Sequence, residues 1–274
     1  MLSRSGLRVL LFTGALCALL LAVTGPSSLS SAPPPLDTLH AVTQEVFTLT
    51  NAERTRAGRA PLAPDSGLQA LACRHTRDMI ERDYMGHVNP DGVGPSRRTA
   101  RYHRQLIGAS GENVLSRVGR KEQSPEALAK ELIKNWMESP GHRKNILRRA
   151  YSHLGVCVMQ DGDQMRATQS FARIRGRVVP PLPARVTAGS HVPMTVTPVP
   201  RRRLTATKYD LWSPSEERRV VGPRALAGTL YVPDTTGTFR VRFYFPRSDR
   251  YAVHYGPALT VEQTDETSPS TAQH

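Results

Sequence analysis

Residues 136–147 constrain the fold of this chain more than any other stretch. They read Trp-Met-Glu-Ser-Pro-Gly-His-Arg-Lys-Asn-Ile-Leu, so a Ser-Pro-Gly turn joins two segments of helical character. Proline is well placed in the first turn of a helix, and glycine tolerates a close approach of the backbone. The turn therefore delivers one histidine, His142, to the start of the second segment.

Two shorter pieces upstream have a similar character. Residues 85–90 contain His87, and residues 111–114 contain Glu112, each beside residues that favour turns. Two histidines and one carboxylate on separate turns could converge on one cleft. The surrounding residues, 83–123, are rich in turn-forming types, and we interpret them as irregular.

The first 32 residues have the composition of a secretory signal peptide. Arg4 and Arg8 lead into an apolar run that ends near Val23, and small residues follow as far as Ala32. An uncleaved N-terminal anchor is the alternative, but the run is short for a membrane span. We therefore expect export and cleavage, with the protein in the periplasm or outside the cell.

Removal of the leader leaves two cysteines, Cys73 and Cys157. A pair of cysteines in an exported protein favours a disulfide, which here would close a long loop. Two buried free thiols are the alternative. A zinc site needs more ligands than these two residues supply.

The first half of the chain combines helical periodicity with a later hairpin pattern. His75 falls on the apolar stripe of the second predicted helix, so we interpret it as a packed core histidine rather than a ligand. Helices first and antiparallel strands last predict an α+β layer fold. The predicted helices cover about 38–57, 66–79, 125–138 and 142–147, and the predicted strands cover 154–159 and 165–174.

A proline-rich segment at 178–183 is predicted to link a first domain, 36–177, to a second one, 184–263. The second domain shows only strand patterns, and we predict a small all-β sandwich. Its inward aromatic side chains are expected to form the core. The clearest alternation runs through Phe239, Val241, Phe243 and Phe245, and Tyr251, Val253 and Tyr255 repeat it. The last segment, 264–274, is polar and predicted to be disordered.

The chain carries a formal net charge of +14, spread over both halves. Such a charge favours polyanions, for example anionic lipid headgroups or acidic wall polymers, although plain solubility is the simpler explanation. No run of Lys and Arg is interleaved with stacking aromatic residues, which argues against a nucleic-acid partner.

The first domain resembles a known family, the bacterial branch of the cysteine-rich secretory protein, antigen 5 and pathogenesis-related 1 (CAP, SCP-like) superfamily. The resemblance covers about 36–176, roughly half of the chain. Each short piece is weak alone, but their order and spacing together are specific. The residues that carry it are 51–54, Gly58, Leu62, His87, 111–113, 136–147 and 154–156.

The resemblance implies export and an α-β-α sandwich whose cleft is lined by two histidines and up to two glutamates. Carried over by position, His87 is the first histidine, Glu112 the first glutamate and His142 the second histidine. Ser139 stands where the second glutamate is expected, and Glu138 comes one residue earlier, turned by about 100° on a helix. We predict Glu138 and Ser139 as rim residues. Asn113 and Asn145 are predicted to fix the loops through hydrogen bonds.

Two imidazoles with one carboxylate are good ligands for zinc or another divalent metal. His87 and His142, with Glu112 as a third ligand, could bind a metal that activates water for hydrolysis. Without a metal, the same groups could transfer protons. They could equally serve only to pin the loops by hydrogen bonds.

Three classes of function follow. The first is an exported binding module whose cleft takes a lipid, sterol or wall fragment while the β-domain docks to a surface or partner. The second is a metal-dependent hydrolase of protein or wall peptide. The third is a purely structural envelope protein. We favour the first, as a monomer without established catalysis, because Glu138 does not match the expected cleft position.

Overall fold

The computed structural model describes residues 36–119, 123–199 and 205–263. The predicted signal peptide and the predicted disordered tail therefore lie outside the described residues. Among the residues that are described, no helix has both the length and the apolar character needed to cross a membrane.

The described part of the chain forms five helices and twelve strands. The helices are α1 (Leu36–Arg56), α2 (Ser66–Glu81), α3 (Pro95–Tyr102), α4 (Pro125–Glu138) and α5 (Pro140–Ile146). The first strands are β1 (Ala63–Pro64), β2 (Leu106–Val118), β3 (His153–Asp161) and β4 (Gln164–Val179). The later strands are β5 (Arg185–Thr187), β6 (His191–Pro193), β7 (Thr195–Pro198), β8 (Lys208–Ser213), β9 (Arg218–Ala225), β10 (Thr229–Tyr231), β11 (Gly237–Pro246) and β12 (Tyr251–Glu262).

Helices cover both faces of the sheet formed by β2, β3 and β4, which confirms the α-β-α sandwich. Phe171 of β4 packs with Val46 of α1 and Trp136 of α4 on one face. The next residue, Ala172, packs with Leu68 of α2 on the other face. Because successive side chains of a strand point to opposite faces, one strand supplies both layers of the core.

The disulfide predicted between Cys73 and Cys157 is present. It joins α2 to β3, with the two Cα atoms 5.0 Å apart. The bond holds α2 against the sheet two residues before His75, which matters for the site described below.

The prediction that residues 83–123 are irregular was wrong, because they contain α3 and the long strand β2. β2 pairs with β4 from Leu106 to Val118. Its glycines and polar residues have low strand propensity, but pairing with a neighbouring strand overrides that weak local preference. Gly108 is required there, since its φ is +155° and a Cβ atom would lie 2.0 Å from the carbonyl oxygen of Arg173.

The later strands add a second hydrophobic core and an extra β layer. Phe239, Val241, Phe243 and Phe245 of β11 are buried, as their alternation predicts. The small β6–β10 sheet contributes Leu230 to the same core. The main sheet runs in the order β1-β3-β4-β2-β12-β11-β8-β9, so the C-terminal strands continue the sheet of the first domain. The exact domain boundaries stay a prediction.

A β-bulge changes the face to which β12 directs its side chains. Arg240 of β11 pairs with Ala258, but Arg242 pairs with Tyr255, so β12 has one extra residue between them. A shift of one residue exchanges the two faces of a strand. Leu259 is consequently buried, whereas Tyr251, Val253 and Tyr255 point outward and are 43, 42 and 42% exposed.

Asp65 fixes the start of α2, which carries His75. Its carboxylate accepts hydrogen bonds from the Leu68 amide, at 2.8 Å, and from His103 Nε2, at 2.9 Å, and it pairs with Arg177. Burial alone would raise the pKa of Asp65, but the hydrogen bonds from His103, Arg177 and Leu68 outweigh it and lower the pKa.

We expect Asp65→Asn to lower the free energy of unfolding at pH 7 by about 1–3 kcal/mol, since a charged acceptor is lost from a buried network. A lowered native pKa stabilises the fold above the unfolded value of about 4, and that stabilisation is lost as the pH falls through the native pKa. In urea unfolding between pH 2 and 7, the free energy of unfolding of this variant should therefore fall less than that of the wild type as the pH is lowered. Asp249→Asn, at an exposed position, is the control. The same pH dependence of the free energy of unfolding in both variants would contradict the prediction.

Candidate functional site

Glu112 lies in the middle of β2, beside an open stretch of the sheet. β4 pairs with β2 along one side, whereas β12 meets the other side at the Gly108–Tyr255 pair. The sequence placed Glu112 on a turn, and the structure corrects this to a strand. A strand backbone holds this carboxylate more firmly than a turn would.

Three groups converge on the Glu112 side chain, which is only 5% exposed, and a fourth contacts its backbone. Arg98 Nη2 donates to both carboxylate oxygens, at 2.9 and 2.8 Å. His87 Nδ1 lies 3.0 Å from Oε1, and His75 Nε2 lies 3.5 Å from the same oxygen. The Asn145 side chain donates to the backbone carbonyl of Glu112 at 3.1 Å. The positive charge of Arg98 therefore balances the negative charge of the carboxylate, and the carboxylate in turn orients the His87 ring.

The orientation of His87 determines what its ring can offer. Because a carboxylate only accepts hydrogen bonds, Nδ1 donates to Glu112, and Nε2 on the other side of the ring is left to contact a ligand. The side chain is 47% exposed. Arg98 also donates to the backbone carbonyl of His87, at 2.9 Å, so both the backbone and the ring are held.

His142 enters from α5, as the Ser-Pro-Gly turn predicts. Ser139 is the residue that precedes this helix and Pro140 is its first residue. Burial lowers the pKa of His142, and the nearby His87 ring lowers it further. His142 is therefore neutral near pH 7, and the site presents two neighbouring imidazoles.

Asn113 and Asn145 join α5 to β2. The Asn113 side chain donates to the backbone carbonyl of His142 at 3.1 Å, and Asn145 donates to Asn113 Oδ1 at 2.9 Å. Gln169 accepts a further hydrogen bond from Asn113 at 3.0 Å. These contacts set the distance between the helix that carries His142 and the strand that carries Glu112.

Glu138 is not brought to the other groups. Its side chain is 64% exposed, and its carboxylate lies 3.8 Å from Lys134 Nζ one turn earlier in α4. Ser139 is half-buried at the junction of α4 and α5. Of the two rim residues that we predicted, only Ser139 adjoins the helix that carries His142.

The sequence reasoning missed Arg98 and the contact that His75 makes. His75 is buried, as expected of a core histidine, but it lies directly behind Glu112, and burial lowers its pKa. Arg98 lies in α3 between other arginines, Arg97 and Arg101. No periodic pattern distinguishes it from them, because its partner is supplied by another strand.

A cavity of about 560 Å³ adjoins the site between α2 and α3. His75 and Arg98 contribute to its lining, so the groups behind Glu112 also face this cavity. Its wall carries both signs of charge, with Arg74 and Arg77 near Asp78 and Asp91 among the lining residues. The cavity makes this side of the first domain concave.

The residues present do not form a three-ligand metal site. Within the described ranges, no three His, Cys, Asp or Glu side chains are grouped so that they could hold a metal ion. Glu112 is also engaged by Arg98 through both of its oxygens. A metal here would rest on His87 and His142 alone, which is fewer protein ligands than catalytic zinc sites use.

Residues 47–171 match the model of a family described as the cysteine-rich secretory protein family, CAP. The uncharacterized protein YkwD of Bacillus subtilis (strain 168) is 33% identical over 119 residues, which is 43% of each chain. The uncharacterized membrane protein YlbC of the same organism is 32% identical over 130 residues, or 47% of this chain and 34% of that one. The chain thus spans less than half the length of these curated relatives.

Two solved structures are each similar to about half of this chain. An extracellular protein containing an SCP domain from Bacillus anthracis is 29% identical, with a TM-score of 0.42, and covers 52% of this chain and 45% of its own. A cysteine-rich secretory protein from Staphylococcus aureus is 21% identical, with a TM-score of 0.40, and covers 51% and 40%.

Proposed function

The domain that contains residues 47–171 belongs to the cysteine-rich secretory protein (CAP) family, and on that basis we propose that this protein is an exported binding module. Its cleft, formed by His87, Glu112 and His142, takes a fragment of the cell envelope. The C-terminal strands dock the protein to the surface from which such fragments come.

The observation that supports binding most strongly is the state of Glu112. A general acid or base must exchange a proton with the substrate. Glu112 instead accepts two hydrogen bonds from Arg98 and one from His87 while nearly buried. Glu138, the other carboxylate considered, faces solvent on α4. The arrangement is therefore better suited to binding a ligand through two oriented imidazoles than to catalysing hydrolysis.

The surroundings of the cleft favour a ligand with both polar and apolar parts. Two neighbouring imidazoles supply polar ring nitrogens that can hydrogen-bond to a ligand. Met85 and Val88, on either side of His87, are exposed apolar side chains that a ligand could cover. Peptide-bearing wall fragments combine amides, hydroxyls and short apolar side chains, so they match this mixture better than a purely apolar lipid does.

We expect a soluble muropeptide to shift the ring resonances of both His87 and His142 in an NMR titration of the full chain. The variants His87→Ala and His142→Ala should each bind it at least tenfold more weakly. His40→Ala, which removes an exposed histidine of α1, is the matched control and should bind like the wild type. Unchanged resonances at saturating muropeptide would refute the proposal.

Two further titrations separate the alternatives. Zinc that binds one-to-one, and only when both histidines are present, would establish a two-histidine metal site and make hydrolase assays worthwhile. Phospholipid vesicles that shift the same resonances when muropeptide does not would assign the cleft to a lipid. No heat on zinc addition would remove the metal-dependent hydrolase from consideration.

A further inference from the structure

The outward surface of β8, β11 and β12 carries an unusual set of aromatic side chains. Because of the bulge in β12, Tyr251 and Tyr255 point away from the core with Val253 between them. Trp212 of β8 and Tyr244 of β11 share this face, since Trp212 pairs with Arg240 and Tyr244 pairs with Val253. We refer to Trp212, Tyr244, Tyr251, Val253 and Tyr255 as the tyrosine face.

Cations are stacked on the rings of the tyrosine face. The Arg240 guanidinium lies 4.7 Å from the ring centre of Tyr255, Lys208 Nζ lies 4.9 Å from that of Tyr251, and Arg242 lies 4.3 Å from that of Trp212. A cation over an aromatic ring is held by the ring's quadrupole and keeps its charge. The face therefore combines flat rings with fixed positive charges.

The negative charge on this face is buried. Asp210 has no exposure, and it accepts hydrogen bonds from Arg219, Arg242 and Tyr244. It thus organises two arginines and a tyrosine from below without presenting a carboxylate to solvent. Lys208, Arg219, Arg240 and Arg242 together exceed this single acid, so the field at the face is positive.

The tyrosine face also lies beside the cleft. Tyr255 pairs with Gly108 of β2, and the two strands are antiparallel. The direction from Tyr255 to Tyr251 is therefore the direction from Gly108 to Glu112. Arg240 Nη1 lies 3.2 Å from the Ser96 hydroxyl of α3, the helix that carries Arg98. The tyrosine face and the cleft are therefore neighbouring but separate sites.

We propose that the tyrosine face binds an acidic polysaccharide, a chain of sugar rings that carry carboxylate or phosphate groups. The proposal rests on the docking role given to the C-terminal strands above and names its ligand class. Aromatic rings offer flat apolar area to the faces of sugar rings, and guanidinium groups bind carboxylates or phosphates by charge-assisted hydrogen bonds. The disulfide between Cys73 and Cys157 is typical of proteins in oxidising compartments outside the cytosol.

The test uses the full chain and polygalacturonate, a polymer of uronic acid, as the probe. We expect binding that weakens steeply with salt, and no binding to neutral dextran. The double variant Tyr251→Ser/Tyr255→Ser should bind at least tenfold more weakly, and Lys208→Gln should bind several-fold more weakly. Tyr102→Ser and Lys134→Gln are matched controls, because Tyr102 is an exposed tyrosine under an arginine in α3 and Lys134 is exposed in α4.

The outcomes separate this proposal from the one made for the cleft. His87→Ala should retain polygalacturonate binding, since the cleft is a different site, and the tyrosine variants should retain the muropeptide response. Equal binding by the wild type and the folded double variant would overturn the tyrosine face as the site. Single-stranded poly(dT) that binds as tightly as polygalacturonate, or dextran that binds at all, would overturn the ligand class. Thermal unfolding verifies that the variants are folded.

Discussion

Replacing Arg98 with methionine is expected to lower the free energy of unfolding by about 3–5 kcal/mol, because it leaves a buried carboxylate without its counter-ion. Arg98 is itself buried and donates to both oxygens of Glu112 and to the backbone carbonyls of His87 and Val93. Methionine fills a similar volume, so the lost charge should account for most of the effect. Chemical denaturation at pH 7 measures it.

A second substitution tests whether Glu112 is the source of the loss. In the double variant Arg98→Met/Glu112→Gln the buried charge is gone, and we expect at least half of the lost stability to return. Arg97→Met, one residue away and exposed, is the control and should change stability by less than about 0.5 kcal/mol. A double variant that is less stable than Arg98→Met alone would show that the ion pair is not what couples α3 to β2.

The single substitution Arg98→Met should also affect the cleft. Once Arg98 is gone, the backbone of His87 loses a hydrogen bond and the Glu112 carboxylate loses the cation that holds both of its oxygens. The His87 ring then loses its fixed orientation. We expect the muropeptide affinity to fall even in the fraction of Arg98→Met that is folded, which follows from the same NMR titration.

Local sequence rules were sufficient where the chain itself determines the geometry. The Ser-Pro-Gly segment predicts a helix over 142–147, and α5 begins two residues earlier, at Pro140, so the preferences of three adjacent residues place His142 in the first turn of that helix. The alternation from Phe239 to Phe245 likewise fixes the buried face of β11. In both cases the information needed lies within one element.

The rules failed where a distant partner determines the outcome. Glu112 lies on a strand only because β4 pairs along the whole length of β2. Arg98 differs from its neighbouring arginines only in its contact with the carboxylate that this strand carries. The outward direction of Tyr251 depends on one extra residue in β12 opposite β11. No pattern within the sequence of β12 predicts this register shift. His87, Glu112 and His142 could thus be named from the sequence, but Arg98, the contact of His75 and the neighbouring tyrosine face could not.

Removing the disulfide is the second change with a large expected effect. Cys73 and Cys157 are 84 residues apart in the chain, so their bond closes a long loop in the unfolded state. The chain-entropy account then predicts that Cys73→Ala/Cys157→Ala lowers the free energy of unfolding by about 4.5 kcal/mol. Guanidinium denaturation without reductant measures it, and the wild type in excess reductant should approach the variant.

The shape of the same denaturation curves identifies the cause. If the bond acts by restricting the unfolded chain, the variant should show a steeper dependence on denaturant, since its unfolded state exposes more surface. The native contacts should persist, because Leu68 and Leu71 of α2 still pack against Ala172 and Ile174 of β4. Native muropeptide binding should therefore survive in the variant at low temperature. Lost binding in a folded variant would show instead that the bond positions α2, and with it His75 behind Glu112.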